Sequence, residues 1–337
     1  MVSVVFLVLG AAACANVATA PEQSVHAEPK YGRDKFIRVR GHTLHYVEAG
    51  AGRPVVLVPG AFTTYRAWDR VLPGLSLHRR VLAVDYLGVG DSDKPKAGFR
   101  YTVEEQADLL AEMIAELNLA PVTLVGASYG GAVALNVAAR HPQLVGQVVS
   151  IEGGALITPE VLNYSRLGAL LDWPILGEII WGFMQSGLFD EISARSIMGQ
   201  AWNGLDSGEQ REIVGIVRAN IQTLSKTSWT GIYRAITERI DFMDALADSQ
   251  TRILYLYGAD SKYRAVAEMN VTRFEMHRPA VEVVRLEGGI HDLHLQYPDM
   301  VAGLVLRVSG MAPGGDLVAR DVSAPTDEDL AAEGVVR

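Results

Sequence analysis

The segment Gly126-Ala127-Ser128-Tyr129-Gly130-Gly131 sets one hydroxyl between glycines. An apolar run, Val122-Thr123-Leu124-Val125, precedes it, and an Ala/Val/Leu-rich stretch from Gly131 to Arg140 follows. A strand that enters such a turn and a helix that leaves it would lift the Ser128 side chain above its surroundings. Gly126 and Gly130 supply the small residues that so close a strand–helix approach needs. The helix N-terminus adds partial positive charge, and the Tyr129 amide points where an oxyanion would form. A serine hydroxyl is a poor nucleophile unless a base accepts its proton. Of the eight histidines, only His291 and His294 follow a terminal apolar strand on a glycine-rich loop, Gly288-Gly289-Ile290-His291.

These residues need a frame. Phe36-Ile37-Arg38-Val39 and Leu44-His45-Tyr46-Val47 flank Gly41-His42 and predict a strand-turn-strand unit. Val55–Val58 and Val81–Val84 are continuous apolar runs that suit strands buried on both faces; Val122–Val125 reads as another buried strand, and Val148–Ile151, Ile253–Tyr257 and Val281–Leu286 read as further strands. Helical spacing runs from Thr102 to Leu117, with Thr102 as N-cap and Glu105 three residues on, and again from Tyr297 to Val308. Alternating strands and helices imply right-handed crossovers and a mostly parallel sheet, whose chemistry collects at the carboxyl ends of its strands. Between Ile151 and Ile253 the rhythm breaks into a helix-like insert that holds Trp173, Trp181, Trp202 and Trp229. Core packing is the plainer role for these tryptophans. With Ile179, Ile180, Phe183 and Met184 they would also form an apolar ceiling over a site.

Across this body the sequence resembles the α/β-hydrolase family. The elbow Gly126–Gly130 carries the likeness, and so do three further segments. Leu57-Val58-Pro59-Gly60-Ala61-Phe62 is similar to the family's oxyanion loop, with Pro59 where a His is usual. Asp85-Tyr86-Leu87-Gly88-Val89-Gly90-Asp91-Ser92 resembles its D-x-x-G-x-G-x-S stretch. Gly288–His291 resembles its catalytic-histidine loop. The resemblance implies an α/β fold: a mostly parallel central sheet, helices on both faces, and a helical cap insert. It implies Ser128 as nucleophile, His291 as base, His294 in a structural role, and the amides of Tyr129 and Ala61 (alternatively Phe62) as oxyanion donors. For the acid that orients the histidine it nominates Asp260, with Glu152 as the alternative. The family commonly places that acid three residues after the strand's Gly258, where Ser261 stands.

The activity so implied is that of a cofactor-independent serine hydrolase acting on a carboxylic ester of a small apolar or aromatic substrate through an acyl-enzyme. A carbon–carbon bond hydrolase or a lactonase of the same fold is the alternative, and a non-catalytic envelope binding protein is another. A serine at this position argues against relatives that use Asp to open epoxides or displace halide. Gly88-Val89-Gly90 lacks the third glycine of a dinucleotide loop. His and acidic residues show no metal-ligand spacing, so neither cofactor nor metal is expected.

Of 337 residues, 49% are hydrophobic and 20% charged, enough to bury a sizeable core. A net charge of −9 argues against nucleic-acid partners. No obligate protein partner is evident. The single cysteine, Cys14, ends the apolar run Val2–Ala13, which reads as an export signal with a lipoprotein-like processing site. The expected organisation is an export signal over 1–20, a tether over 21–34, a hydrolase core over 35–152 and 251–309, a cap over 153–250, and an acidic tail over 310–337. The expected location is the bacterial cell envelope, with Cys14 a point of lipid anchoring, or secretion.

Overall fold

A computed structural model describes residues 28–158, 170–277 and 281–310. The run Val2–Ala13, Cys14, most of the tether, the tail after 310 and part of the cap lie outside the described residues. Among the described residues no helix is long and apolar enough to cross a membrane.

The described residues form ten strands: β1 (Arg33–Val39), β2 (His42–Ala49), β3 (Pro54–Val58), β4 (Arg80–Asp85), β5 (Val122–Ala127), β6 (Val145–Ile151), β7 (Leu156–Ile157), β8 (Ile240–Asp241), β9 (Arg252–Gly258) and β10 (Glu282–Leu286). Eight of them form one sheet in the order β1-β2-β4-β3-β5-β6-β9-β10, while β7 and β8 form a separate pair. β2 runs antiparallel to both β1 and β4; the other neighbours are parallel. The chain winds from β3 to β4 on one side and from β5 outward on the other. In such sheets ligands bind beyond the carboxyl ends of the strands at that reversal, which here are β3 and β5.

The continuous apolar runs follow from two covered faces. Val55 and Leu57 pack with Val125, Leu254 and Leu256 against the helices Leu72–Ser76 and Pro298–Gly310. Val56 and Val58, one residue out of step, pack with Leu82, Val84 and Leu124 against Val103–Glu116 and Tyr129–Arg140. Alternation along a strand sends successive side chains to opposite faces, and both faces here are dry. Thr102 caps Val103–Glu116 as its sequence predicts, accepting from the Glu105 amide at 3.3 Å.

The insert departs from the sheet through β7 and returns through β8, which pairs with it antiparallel. Between them lie the helices Pro174–Gln185, Asp190–Met198, Ser207–Thr223 and Lys226–Thr237. Asp206 and Glu209 form a reciprocal capping box at the start of Ser207–Thr223, which fixes where that long helix begins. Trp202 is buried with Met198, Ile213 and Ile216 inside the cap and meets Ile290 and Leu295 of the core. Trp173 is instead largely exposed.

Candidate active site

Parallel register aligns the strand ends: Val58 lies beside Gly126, Gly126 beside Ser150, and Ala127 beside Ile151, which in turn lies beside Leu256. Ser128 follows directly on β5 with φ 51° and ψ −119°, a left-handed conformation that costs a non-glycine residue of order 1–3 kcal/mol. Strand and helix are close enough that a Cβ at Gly126 would fall 2.2 Å from the Gly130 carbonyl oxygen. One at Gly130 would fall 2.3 Å from that of Val58. The Ser128 amide donates to the Ile151 carbonyl at 2.7 Å, and its side chain stays partly accessible at the head of Tyr129–Arg140.

Glu152 comes next after Ile151, also in a left-handed conformation at φ 50°, with its amide on the Leu256 carbonyl. Its buried carboxylate receives three donors. The Gly258 amide donates to Oε1 at 2.8 Å, while the Ser261 hydroxyl and His291 Nδ1 donate to Oε2, each at 2.6 Å. The acid facing the histidine is therefore Glu152 and not Asp260, a correction to the sequence-based choice. Asp260 lies exposed one residue earlier than the useful position, and its amide is used to hold the Gly289 carbonyl at 2.9 Å. Ser261 occupies the position where the family commonly carries the acid, and it donates to the acid on the neighbouring strand instead.

His291 is largely buried, and Tyr263 meets its ring edge-on at a centroid distance of 4.6 Å. Burial works against the charged imidazolium, but the Glu152 carboxylate outweighs it and raises the histidine's pKa above its ordinary value. With Nδ1 committed to Glu152, Nε2 is the nitrogen left to accept a proton. His294 is a different group. Its ring packs against Trp68 at 4.8 Å, tilted by 41°, its Nδ1 has no partner, and burial pushes its pKa down to about 4.

The loop after β3 supplies the facing wall. A Cβ added at Gly60 would sit 3.6 Å from the Ser128 Cβ. The Tyr86 hydroxyl donates to the Gly60 carbonyl and accepts from the Phe62 amide, both at 3.1 Å. That contact occupies the Phe62 amide, whereas the Ala61 amide has no hydrogen-bond acceptor among the described residues. Tyr129 opens its helix, so its amide has no acceptor four residues back. Tyr86 stands in a segment the sequence singles out, but its clamp on the loop has no sequence signature.

Asp85, in the same segment, does structural work. His45 lies between two carboxylates, its Nδ1 2.7 Å from Asp85 and its Nε2 2.9 Å from Asp34, while the Tyr65 and Asp91 amides also donate to Asp85. One ligand atom each of His45, Asp85 and Asp91 falls within 4.8 Å of the others. The His45 nitrogens are spent on Asp85 and Asp34, and the Asp85 carboxylate on His45 and two backbone amides, so the cluster fits a buried brace better than a metal centre.

The family model described as the alpha/beta hydrolase fold matches residues 53–298, and the chain belongs to that family. Among curated proteins, 118 residues are 44% identical to 2-hydroxy-6-oxo-2,4-heptadienoate hydrolase of Pseudomonas putida, over 34% of this chain and 42% of that one. A second match, over 112 residues, is 39% identical to a haloalkane dehalogenase of Agrobacterium fabrum, over 33% of this chain and 36% of that one. The chain thus spans about two fifths of the length of these relatives. Among solved structures, a hydrolase from Pseudomonas aeruginosa superposes with a TM-score of 0.66 at 23% identity, covering 83% of this chain and 99% of that one. An esterase from Rhodococcus gives 0.65 at 20% identity, over 83% and 99%. These two likenesses show the fold.

Proposed function

We propose that this α/β-hydrolase is a serine hydrolase that cleaves carboxylic esters of small apolar or aromatic substrates through an acyl-enzyme. Ser128 attacks the carbonyl carbon while His291 Nε2 takes its proton. The Tyr129 and Ala61 amides hold the resulting oxyanion. Collapse of the tetrahedral adduct expels the alcohol, which takes the proton from His291. Water, deprotonated by the same nitrogen, then releases the acid. Glu152 keeps the His291 proton on Nδ1 and stabilises the imidazolium. The observation that carries this reading is the 2.6 Å contact between His291 Nδ1 and Glu152, beside a serine held at φ 51° on the adjoining strand. A lactone is an internal ester and suits the same machinery.

A fluorophosphonate probe and short p-nitrophenyl esters test it. The parent is expected to label and turn over. Ser128→Ala is expected to lose labelling and to fall by several orders of magnitude in kcat. Unchanged hydrolysis by that variant would refute the assignment.

A second reading, cleavage of a carbon–carbon bond beside a carbonyl, draws support from the likeness to the Pseudomonas putida 2-hydroxy-6-oxo-2,4-heptadienoate hydrolase. It uses the same serine, so parallel assays on esters and on ring-fission diketones separate the two. Export is part of the same proposal. If Cys14 carries a lipid, Cys14→Ser is expected to leave the membrane fraction for the soluble one.

A further inference from the structure

We propose that the cap positions the oxyanion loop, with Asn220 as the positioning residue and Trp229 as its second grip. The inference rests on the oxyanion role assigned above to Ala61 and deepens it. The loop from Gly60 to Tyr65 is held from two sides. From the core, Tyr86 holds the Gly60 carbonyl and the Phe62 amide, and Asp85 takes the Tyr65 amide at 2.8 Å. From the cap, Asn220 on Ser207–Thr223 accepts at a single oxygen, Oδ1, from both the amide and the hydroxyl of Thr64, at 2.9 and 2.8 Å. The Phe62 ring stacks on Trp229 of Lys226–Thr237 at 4.8 Å and 17°, and Trp229 stacks on Tyr233 at 5.3 Å and 11°.

These grips fall on a strained stretch. Phe62 sits at φ 65°, in the left-handed region that a bulky side chain avoids, and it is the residue next to Ala61. Such a conformation persists only where its surroundings over-determine it. Asn220 and Thr64 are both buried, so removing the acceptor strands two donors away from water. Once the cap lets go, Phe62 and Thr64 are left with the core-side holds of Tyr86 and Asp85, and the strained stretch beside Ala61 is expected to shift. The oxyanion site is therefore complete only with the cap seated, which ties catalytic competence to the element that covers the substrate.

The test pairs Asn220→Ala with the acceptor-retaining Asn220→Asp, and Trp229→Ala with Trp229→Phe, in the full chain. Backbone amide hydrogen exchange over residues 61–64 reads the clamp itself. The alanine variants are expected to speed exchange there, and Asn220→Asp and Trp229→Phe to restore protection. Kinetics read the consequence. Deleting a whole oxyanion donor costs about 100- to 1,000-fold in kcat, so displacing one is expected to cost about tenfold, with KM held within about threefold. Phenylboronic acid, which forms a tetrahedral anion on a serine, is expected to lose affinity by a similar factor. Unchanged exchange at 61–64, or accelerated exchange with kcat and boronate affinity intact, would overturn the proposal. If Ser128→Ala still hydrolyses esters, the functional reading fails instead, and the exchange data still decide the clamp.

Discussion

Glu152 gathers the Gly258 amide, the Ser261 hydroxyl and the His291 ring on one buried carboxylate. Replacing it by Gln keeps the shape but lets the amide favour the wrong histidine tautomer. Glu152→Gln is expected to lower kcat by about 1,000- to 10,000-fold, as removal of a triad acid's charge does. Asp260→Asn, exposed and facing no histidine, should stay within about twofold of the parent in the same assay. The pH profile carries a second test. The working base is neutral His291, whose pKa is raised by Glu152, so kcat/KM should climb with pH and reach its plateau above the range of an ordinary histidine. Ser261→Ala removes a donor from the oxygen that faces the ring. More negative charge is then left for the imidazolium, and the acid limb should move to higher pH. A limb that stays put would mean that Ser261 only packs. The family resemblance names both carboxylates, and β6 and β9, which they follow, pair side by side. Which one meets the histidine is decided by a one-residue offset, and by an Asp260 amide pinned to Gly289, that no motif records.

Elements divide along a similar line. Core strands are legible because burial on both faces leaves unbroken apolar runs, and the elbow is legible because close backbone approach admits only glycine. The helix Arg264–His277 escapes such reading. Its inner face includes Asn270, wholly buried, whose amide exchanges bonds of 3.0 and 2.7 Å with the Leu156 backbone at the mouth of the insert. A polar residue on the core side blurs the periodicity, and its purpose exists only after folding. The pair β7 and β8 is two residues long on each strand, too short for alternation to show. Asn220 carries no sequence signal either, since its partner lies 156 residues away. Cap docking yields a prediction of its own. A Cβ at Gly231 of Lys226–Thr237 would fall 2.4 Å from the Tyr101 ring, which is buried and held by its hydroxyl on the Pro95 carbonyl at 2.8 Å. The ring has nowhere to go, so the helix must lift. Gly231→Ala is expected to cost about 1–3 kcal/mol in a denaturant or thermal melt, as overpacking does. It should also impair turnover, since the same helix presents Trp229.

For the molecule as a whole, the two sides of the acid range are governed by buried groups of opposite sign. His294, neutral against Trp68 with its pKa pushed down to about 4 by burial, binds a proton less readily folded than unfolded. Its contribution is fully present above the ordinary histidine value, near 6.5, and is lost as pH falls toward 4, by an amount on the order of 3 kcal/mol. Asp69, buried and pushed up to about 6, does the reverse. It binds its proton more readily folded, so it favours the native state below the ordinary carboxylate range and loses that advantage as pH rises through 6. The two slopes overlap between pH 4 and 6 and largely cancel in the parent. A flat parent curve there is therefore no evidence of inert side chains; only single-site differences expose the balance. His294→Phe keeps an aromatic ring against Trp68 and removes the titration. Measured by urea midpoint at fixed ionic strength, its stability relative to the parent should grow as pH drops from 6.5 to 4 and level off below. Asp69→Asn should show the opposite trend, falling behind the parent as pH drops over the same interval. If the His294→Phe difference is independent of pH, the imidazole is not held neutral, and its missing Nδ1 partner must be supplied by something that charges or solvates it.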